Sequence, residues 1–92
     1  MDAGKTELVE RVEAQLRELV AAELGVEPED VVREADFVAD LAADSLDVVE
    51  LIMKMEDRFS ITIPDEDAEE IRTFGKAVDF VVLRISVEEG NA

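Results

Sequence analysis

Apolar residues along this chain recur at three- and four-residue intervals, the period of one helix face, and nowhere keep up the two-residue alternation of a half-buried strand. In the first segment Leu8, Val9, Val12, Leu16, Leu19 and Val20 follow that spacing. Glu7, Glu10, Arg11, Glu13, Arg17 and Glu18 fill most of the other face, which predicts an amphipathic helix. Gly25 is its expected C-terminal stop, since glycine accepts the left-handed conformation that ends helices.

From Val26 to Ala43 the pattern breaks up around Pro28 and scattered acids, leaving Val31, Val32, Phe37, Val38 and Leu41 as anchors. The segment reads as a long loop pinned to the core by Phe37 and Leu41, and loops this long in small domains are more often functional than structureless. Asp44 offers a side-chain cap to a second helix running to about Phe59, with Ser45 in its first turn. On that helix Asp47, Glu50, Lys54, Asp57 and Arg58 share one polar arc. Leu46, Val48, Val49, Leu51, Ile52, Met53, Met55 and Phe59 cover the rest, an apolar surface too wide for a single contact.

Ile61 and Ile63 bracket a turn into Pro64, which opens a short third helix over Asp65 to Ile71. Thr73 is placed to cap a fourth, where Phe74, Ala77, Val78, Val81, Val82 and Ile85 match the helical template, and the tail from Ser86 to Ala92 is expected to fray. The fold class is therefore all-α: a small four-helix bundle, three longer helices and one short, with a long loop between helices 1 and 2.

Composition narrows the function. At 92 residues the chain is one domain, with a core over about 7–85 and flexible ends, and too small for a deep enzyme cleft. Its 25 acids against 9 bases leave a net charge of −16, which repels nucleic acid and anionic membranes and favours proteins with basic patches. With no Cys and no His, intrinsic catalysis and zinc binding are not expected. The acids at Asp65, Asp67 and Glu69 do not make a calcium loop, because Glu70 and Lys76 stand where that loop needs Gly and Glu. No apolar run follows a basic start, so no signal peptide is expected, and Leu51 to Met53 and Phe80 to Leu83 are too short to span a bilayer. A cytoplasmic location fits, as would an organelle stroma or matrix.

The informative stretch runs from Phe37-Val38-Ala39-Asp40-Leu41 through Asp44-Ser45-Leu46 to Glu50-Leu51. With the Leu24-Gly25-Val26 turn and Ile63-Pro64-Asp65, it resembles the acyl carrier protein family over about Glu10 to Val82. The hallmark of that family is Asp-Ser-Leu at the start of the second helix, and the leading expectation is its freestanding type of fatty acid synthesis. The resemblance implies that Ser45, flanked by Asp44 and Leu46, receives 4′-phosphopantetheine from coenzyme A through a phosphopantetheinyl transferase. The arm's thiol would then carry acyl chains as thioesters, supplying the sulfur that a chain without Cys lacks. The residues agree with this. A first-turn serine sits where unpaired N–H groups and the helix dipole favour an anion. Asp44 serves better as a cap and docking charge than as a base, since a carboxylate is far too weak to deprotonate a serine hydroxyl. An ordinary helix-start serine is the plainer alternative.

The resemblance also assigns Asp44, Asp47, Glu50, Glu56 and Asp57 to a face that meets Arg and Lys on partner enzymes: ketosynthase, malonyl transferase, reductases and dehydratase. Leu46, Val49 and Met53 would be apolar contacts among them; a solvated face is the simpler reading of the acids. Met55, Phe59, Ile63, Ala68, Ile71 and Ala77 are expected to line an expandable acyl pocket within the core, at about 0.8 kcal/mol per buried methylene. The chain is expected to act as a monomer.

Three features depart from the family. Ala42 stands where Gly is usual, so a positive φ there would be strained. Lys54 and Arg58 place cations on the acidic face, Lys54 at a favourable spacing from Glu50. The chain also extends a few residues at each end. Two other readings compete: a carrier for polyketide or other specialised acyl chains, and an acidic regulatory protein or DNA mimic that would not need Ser45.

Overall fold

The computed structural model describes the backbone of residues 2–90 and the side chains of residues 6–87. Helix α1 spans Asp2–Leu24, a 3-10 turn Pro28–Asp30, α2 Ser45–Phe59, α3 Asp65–Ala68 and α4 Phe74–Gly90, with no strand among the described residues. This is the all-helical bundle with a long first connection that the apolar spacing predicts.

The core forms where the apolar stripes converge. Val12, Leu16, Val20 and Ala21 of α1 meet Leu51 and Met55 of α2 and Phe74, Ala77, Val78, Val81 and Val82 of α4, all buried. α1 packs against both α2 and α4. Gly25 ends α1 at φ +67°, and the Val26 N–H returns to the Ala21 carbonyl at 3.1 Å, as a glycine C-terminal stop requires.

The first loop contributes to the core rather than crossing over it. Val31, Phe37 and Leu41 are buried as expected, and so are Ala35 and Ala43, which the apolar pattern does not single out. Val32 and Val38 are not anchors: they are 45% and 58% exposed, because the loop turns their side chains outward. Two devices fasten the loop. Arg33 bridges Glu13 of α1 at 3.0 Å and Asp79 of α4 at 2.7 Å, and these bonds hold its guanidinium pKa above the ordinary value, Asp79 acting most strongly. Arg17 donates through Nε to the Val31 carbonyl at 3.0 Å, its guanidinium 5.2 Å from the Phe74 ring centroid.

Three expectations change in extent. α1 begins at Asp2, before the amphipathic pattern starts at Leu8. α3 ends at Ala68 and gives way to turns before Ile71, as Glu69 and Glu70 donate to Asp65 and Asp67 carbonyls. α4 continues to Gly90, so Ser86 prolongs the helix instead of fraying; Asn91 and Ala92 lie outside the described residues. Thr73 caps α4, its Oγ1 accepting from the Lys76 N–H at 3.2 Å.

Candidate functional site

Ser45 is the first residue of α2 and is exposed. The chain reaches it through a loop tightened by two acids: Asp36 Oδ1 accepts from the Val38 and Ala39 N–H groups at 2.9 and 2.8 Å, and the Asp40 carboxylate accepts from the Asp36 N–H at 2.7 Å. The backbone then reverses at Ala42, whose φ of 61° is the left-handed conformation expected to be strained in a residue with a Cβ. Ala43 is buried next to it, its N–H bonded to the Phe37 carbonyl at 2.9 Å. The strain is thus held in place by the burial of Phe37, Leu41 and Ala43.

Asp44 is extended, at φ −96° and ψ −179°, and caps α2. Its carboxylate accepts from the Asp47 N–H at 2.8 Å, and the Asp47 carboxylate accepts from the Asp44 N–H at 3.1 Å. This reciprocal box satisfies two otherwise orphaned donors and sets the direction in which Ser45 leaves the first turn. Leu46, next along, is 66% exposed.

A cleft of about 490 Å³ opens beside Ser45. Its walls come from three places: Asp36 to Ala39 of the loop, Ser45 and Val48 of α2, and Ala68, Glu69, Ile71 and Arg72 around the end of α3. The Phe37 N–H donates to the Arg72 carbonyl at 3.0 Å, and an isolated bridge joins Asp36 to Thr73, so the two outer walls are tied together. Sequence reasoning missed the loop wall and Arg72. The run of small and apolar residues at Phe37 to Ala39 was the available signal, but nothing local shows that it faces Ala68.

Of the six residues expected to line an acyl pocket, Ala68 and Ile71 border this cleft. Met55, Ile63 and Ala77 are closed into the core, each no more than 5% exposed. Phe59 is half-buried on another flank, bordering a hollow of about 200 Å³ with Leu8, Val12 and Ile85. The six are not brought together around one space, because α4 and α1 already fill the volume behind α2.

The acidic face is rearranged in the same way. Glu50 and Asp57 are exposed, as are Val49 at 53% and Met53 at 59%. Glu56 is half-buried and accepts from the Ile63 N–H at 2.8 Å, and Asp47 is half-buried within the cap. These two carboxylates hold backbone, while Glu50 and Asp57 make no side-chain hydrogen bond or ion pair among the described residues. Lys54 pairs with Glu23 of α1 at 2.8 Å instead of with Glu50, because the bundle brings α1 within its reach. That hydrogen bond raises the Lys54 pKa, with Glu50 contributing only at a distance. Among the described residues no group of three or more Asp and Glu is arranged to hold a metal ion, and no helix is long and apolar enough to cross a membrane.

Residues 14–81 match the family model described as the phosphopantetheine attachment site. The fold is similar to that of the acyl carrier protein from Enterococcus faecalis, a protein described for its high thermal stability. The TM-score is 0.73 and the sequence identity 36%, over 83% of this chain and 96% of that one. Among the described residues three helices of ordinary length and one short one reproduce that architecture. The chain belongs to the acyl carrier protein family, carrier proteins whose covalent cofactor is 4′-phosphopantetheine.

Proposed function

We propose that Ser45 is the attachment residue and that this chain carries growing acyl chains for fatty acid synthesis. The observation that carries the reading is the exposed Ser45 hydroxyl in the first turn of α2, beside a cleft and behind a rigid cap. The residues present fit the group. Unpaired N–H groups at the start of α2 favour an anionic phosphodiester, and the cleft offers apolar walls at Val38, Val48 and Ile71.

In the transfer, the Ser45 oxygen forms a bond to phosphorus as the pyrophosphate of coenzyme A breaks and adenosine 3′,5′-bisphosphate leaves. The proton passes to the transferase, since Asp44 and Asp47 are engaged by backbone N–H groups. When bound, the group supplies a thiol that holds acyl chains as thioesters. The protein's own residues present and orient: the Asp44 and Asp47 box fixes the turn, while Leu46, Val49 and Met53 with Glu50 and Asp57 form a surface for basic patches on synthesis enzymes. The chain itself performs no catalysis in this reading and works as a cytoplasmic monomer.

Incubation with a transferase and coenzyme A should add one phosphopantetheine by intact mass, and Ser45→Ala should stay unmodified. No gain in mass would defeat the assignment. An acidic regulatory role would instead leave binding of basic proteins indifferent to Ser45→Ala. A carrier for polyketide or other specialised chains shares the site. The cation pair that favours it is halved by the engagement of Lys54 with Glu23, leaving Arg58. Efficient turnover of the loaded protein by fatty acid ketosynthase and malonyl transferase supports the first pathway; poor turnover by both supports the second.

A further inference from the structure

Among the residues lining the cleft beside Ser45, Arg72 is the only cation. Among the described residues Arg33 and Lys54 form ion pairs while Arg11, Arg17, Arg58, Lys76 and Arg84 form none, so what sets Arg72 apart is its place in this lining. Arg72 forms no ion pair among the described residues. The two acids in the same lining do not claim it: Asp36 accepts from the Val38 and Ala39 N–H groups, and Glu69 makes no bond to it. Its backbone is nevertheless fixed, the carbonyl accepting from Phe37 at 3.0 Å and the N–H donating to Glu70 at 3.0 Å. An arginine without an ion pair, on an anchored backbone that borders the cleft, can offer a planar, bidentate donor to an anion held there.

Resting on the assignment of Ser45 made above, we propose that Arg72 pairs with the phosphodiester of the arm and lays the first part of that arm into the cleft between the loop, α2 and the end of α3. The occupant is the protein's own arm. Ser45 stands in the lining of the cleft, so a phosphodiester on its oxygen would be an anion at that edge whose charge no carboxylate can offset, and a volume of about 490 Å³ suits one small, mostly apolar ligand. Val38, Val48, Ala68 and Ile71 supply the apolar wall that the uncharged part of the arm can lie against. Arg72 is thus a positioning residue. It counters a protein field that otherwise repels the phosphodiester, and a partner with a basic patch can compete for the same charge and release the arm.

The test uses unmodified and loaded forms of the wild-type chain, Arg72→Gln and Arg72→Lys. Intact mass first establishes that each loaded form carries one phosphopantetheine; a wild-type chain that gains none overturns the Ser45 assignment and not the role of Arg72. The expected result is a phosphodiester ³¹P resonance that moves with added NaCl in the wild type, no longer does so in Arg72→Gln, and partly does so in Arg72→Lys. Loading should also shift the amide signals of Val38, Ala68 and Ile71 in the wild type and leave them in place in Arg72→Gln. Identical ³¹P behaviour in all three loaded proteins, with shifts confined to the neighbours of Ser45, overturns the proposal. Because the Arg72 side chain is exposed and its backbone makes the tertiary bonds, the variants should fold, and Arg72→Lys gives an independent reading if Arg72→Gln does not.

Discussion

The carboxylates of Asp44 and Asp47 each accept from the other residue's backbone N–H, at 2.8 and 3.1 Å, and so close the first turn of α2 around Ser45 and Leu46. Two acids on the face proposed for partners are therefore structural, beside the residue proposed as the attachment point. Replacing either with Ala should cost about 1 kcal/mol, the usual value of a helix cap. The double variant should cost less than the sum, because each bond helps to place the other. Urea midpoints of the four proteins measure this, and strictly additive losses would argue against a reciprocal box.

Ala42 holds a φ of 61° with its Cβ in place. The left-handed conformation costs an alanine roughly 1–2 kcal/mol, of which the freer unfolded chain of a glycine returns part. Ala42→Gly should stabilise the protein by about 1 kcal/mol, a rise in Tm of about 4–8 °C for a domain of this size. Calorimetry on the unmodified protein checks it. An unchanged or lower Tm would show that the strain is relieved elsewhere.

Gly75 has the opposite requirement. A Cβ there would lie 2.9 Å from the Arg33 carbonyl oxygen, which itself accepts from the Gly75 N–H at 2.9 Å. Both atoms cannot be accommodated without moving the loop, so Gly75→Ala should destabilise by about 1–3 kcal/mol. Amide exchange should quicken around Arg33 to Phe37 before it does in α1. Uniform exchange changes would place the damage elsewhere.

Lys54 and Glu23 join α2 to α1 at 2.8 Å, and the pairing raises the Lys54 pKa above the ordinary value of a lysine. For a group whose folded value is raised, the contribution is complete below its unfolded value and fades as pH climbs through the folded one. Lys54→Met should therefore lower the urea midpoint by a constant amount from pH 6 to about pH 10, and the difference should shrink above that. A difference already varying between pH 6 and 8 would point to another group.

A net charge of −16 also predicts a response to salt. Screening weakens the exposed ion pairs but weakens the self-repulsion of 25 acids more, so Tm should rise between about 0.01 and 0.15 M NaCl as the Debye length falls from about 30 to about 8 Å. A falling Tm would mean that the bridges from Arg33 and Lys54 outweigh the repulsion.

Local signals carried much of the fold. The stripe from Leu8 to Val20, Gly25 as a stop, Asp44 and Thr73 as caps and Pro64 before α3 each act within a few residues, and each holds in the structure. The candidate site was legible at Asp44-Ser45-Leu46 through its resemblance to a family motif, of which only the Asp44 cap is a local signal. The burial of Ala35 and Ala43, the exposure of Val32 and Val38 and the continuation of α4 past Ser86 were not, because each depends on which surface another element presents.

The sequence by itself determined the helices, their order and the turn that presents Ser45, since caps, stops and apolar period are interactions of near neighbours. Only the tertiary structure decided how the wide apolar surface of α2 divides. Leu51 and Met55 go inward against α1 and α4, leaving Leu46, Val49 and Met53 to solvent. It also decided that Lys54 meets Glu23, that Glu56 holds Ile63, and that the loop, α2 and the end of α3 enclose a cleft with Arg72 in its wall. Those outcomes join groups far apart in the chain, and a helical period records which residues share a face but not what the face is packed against.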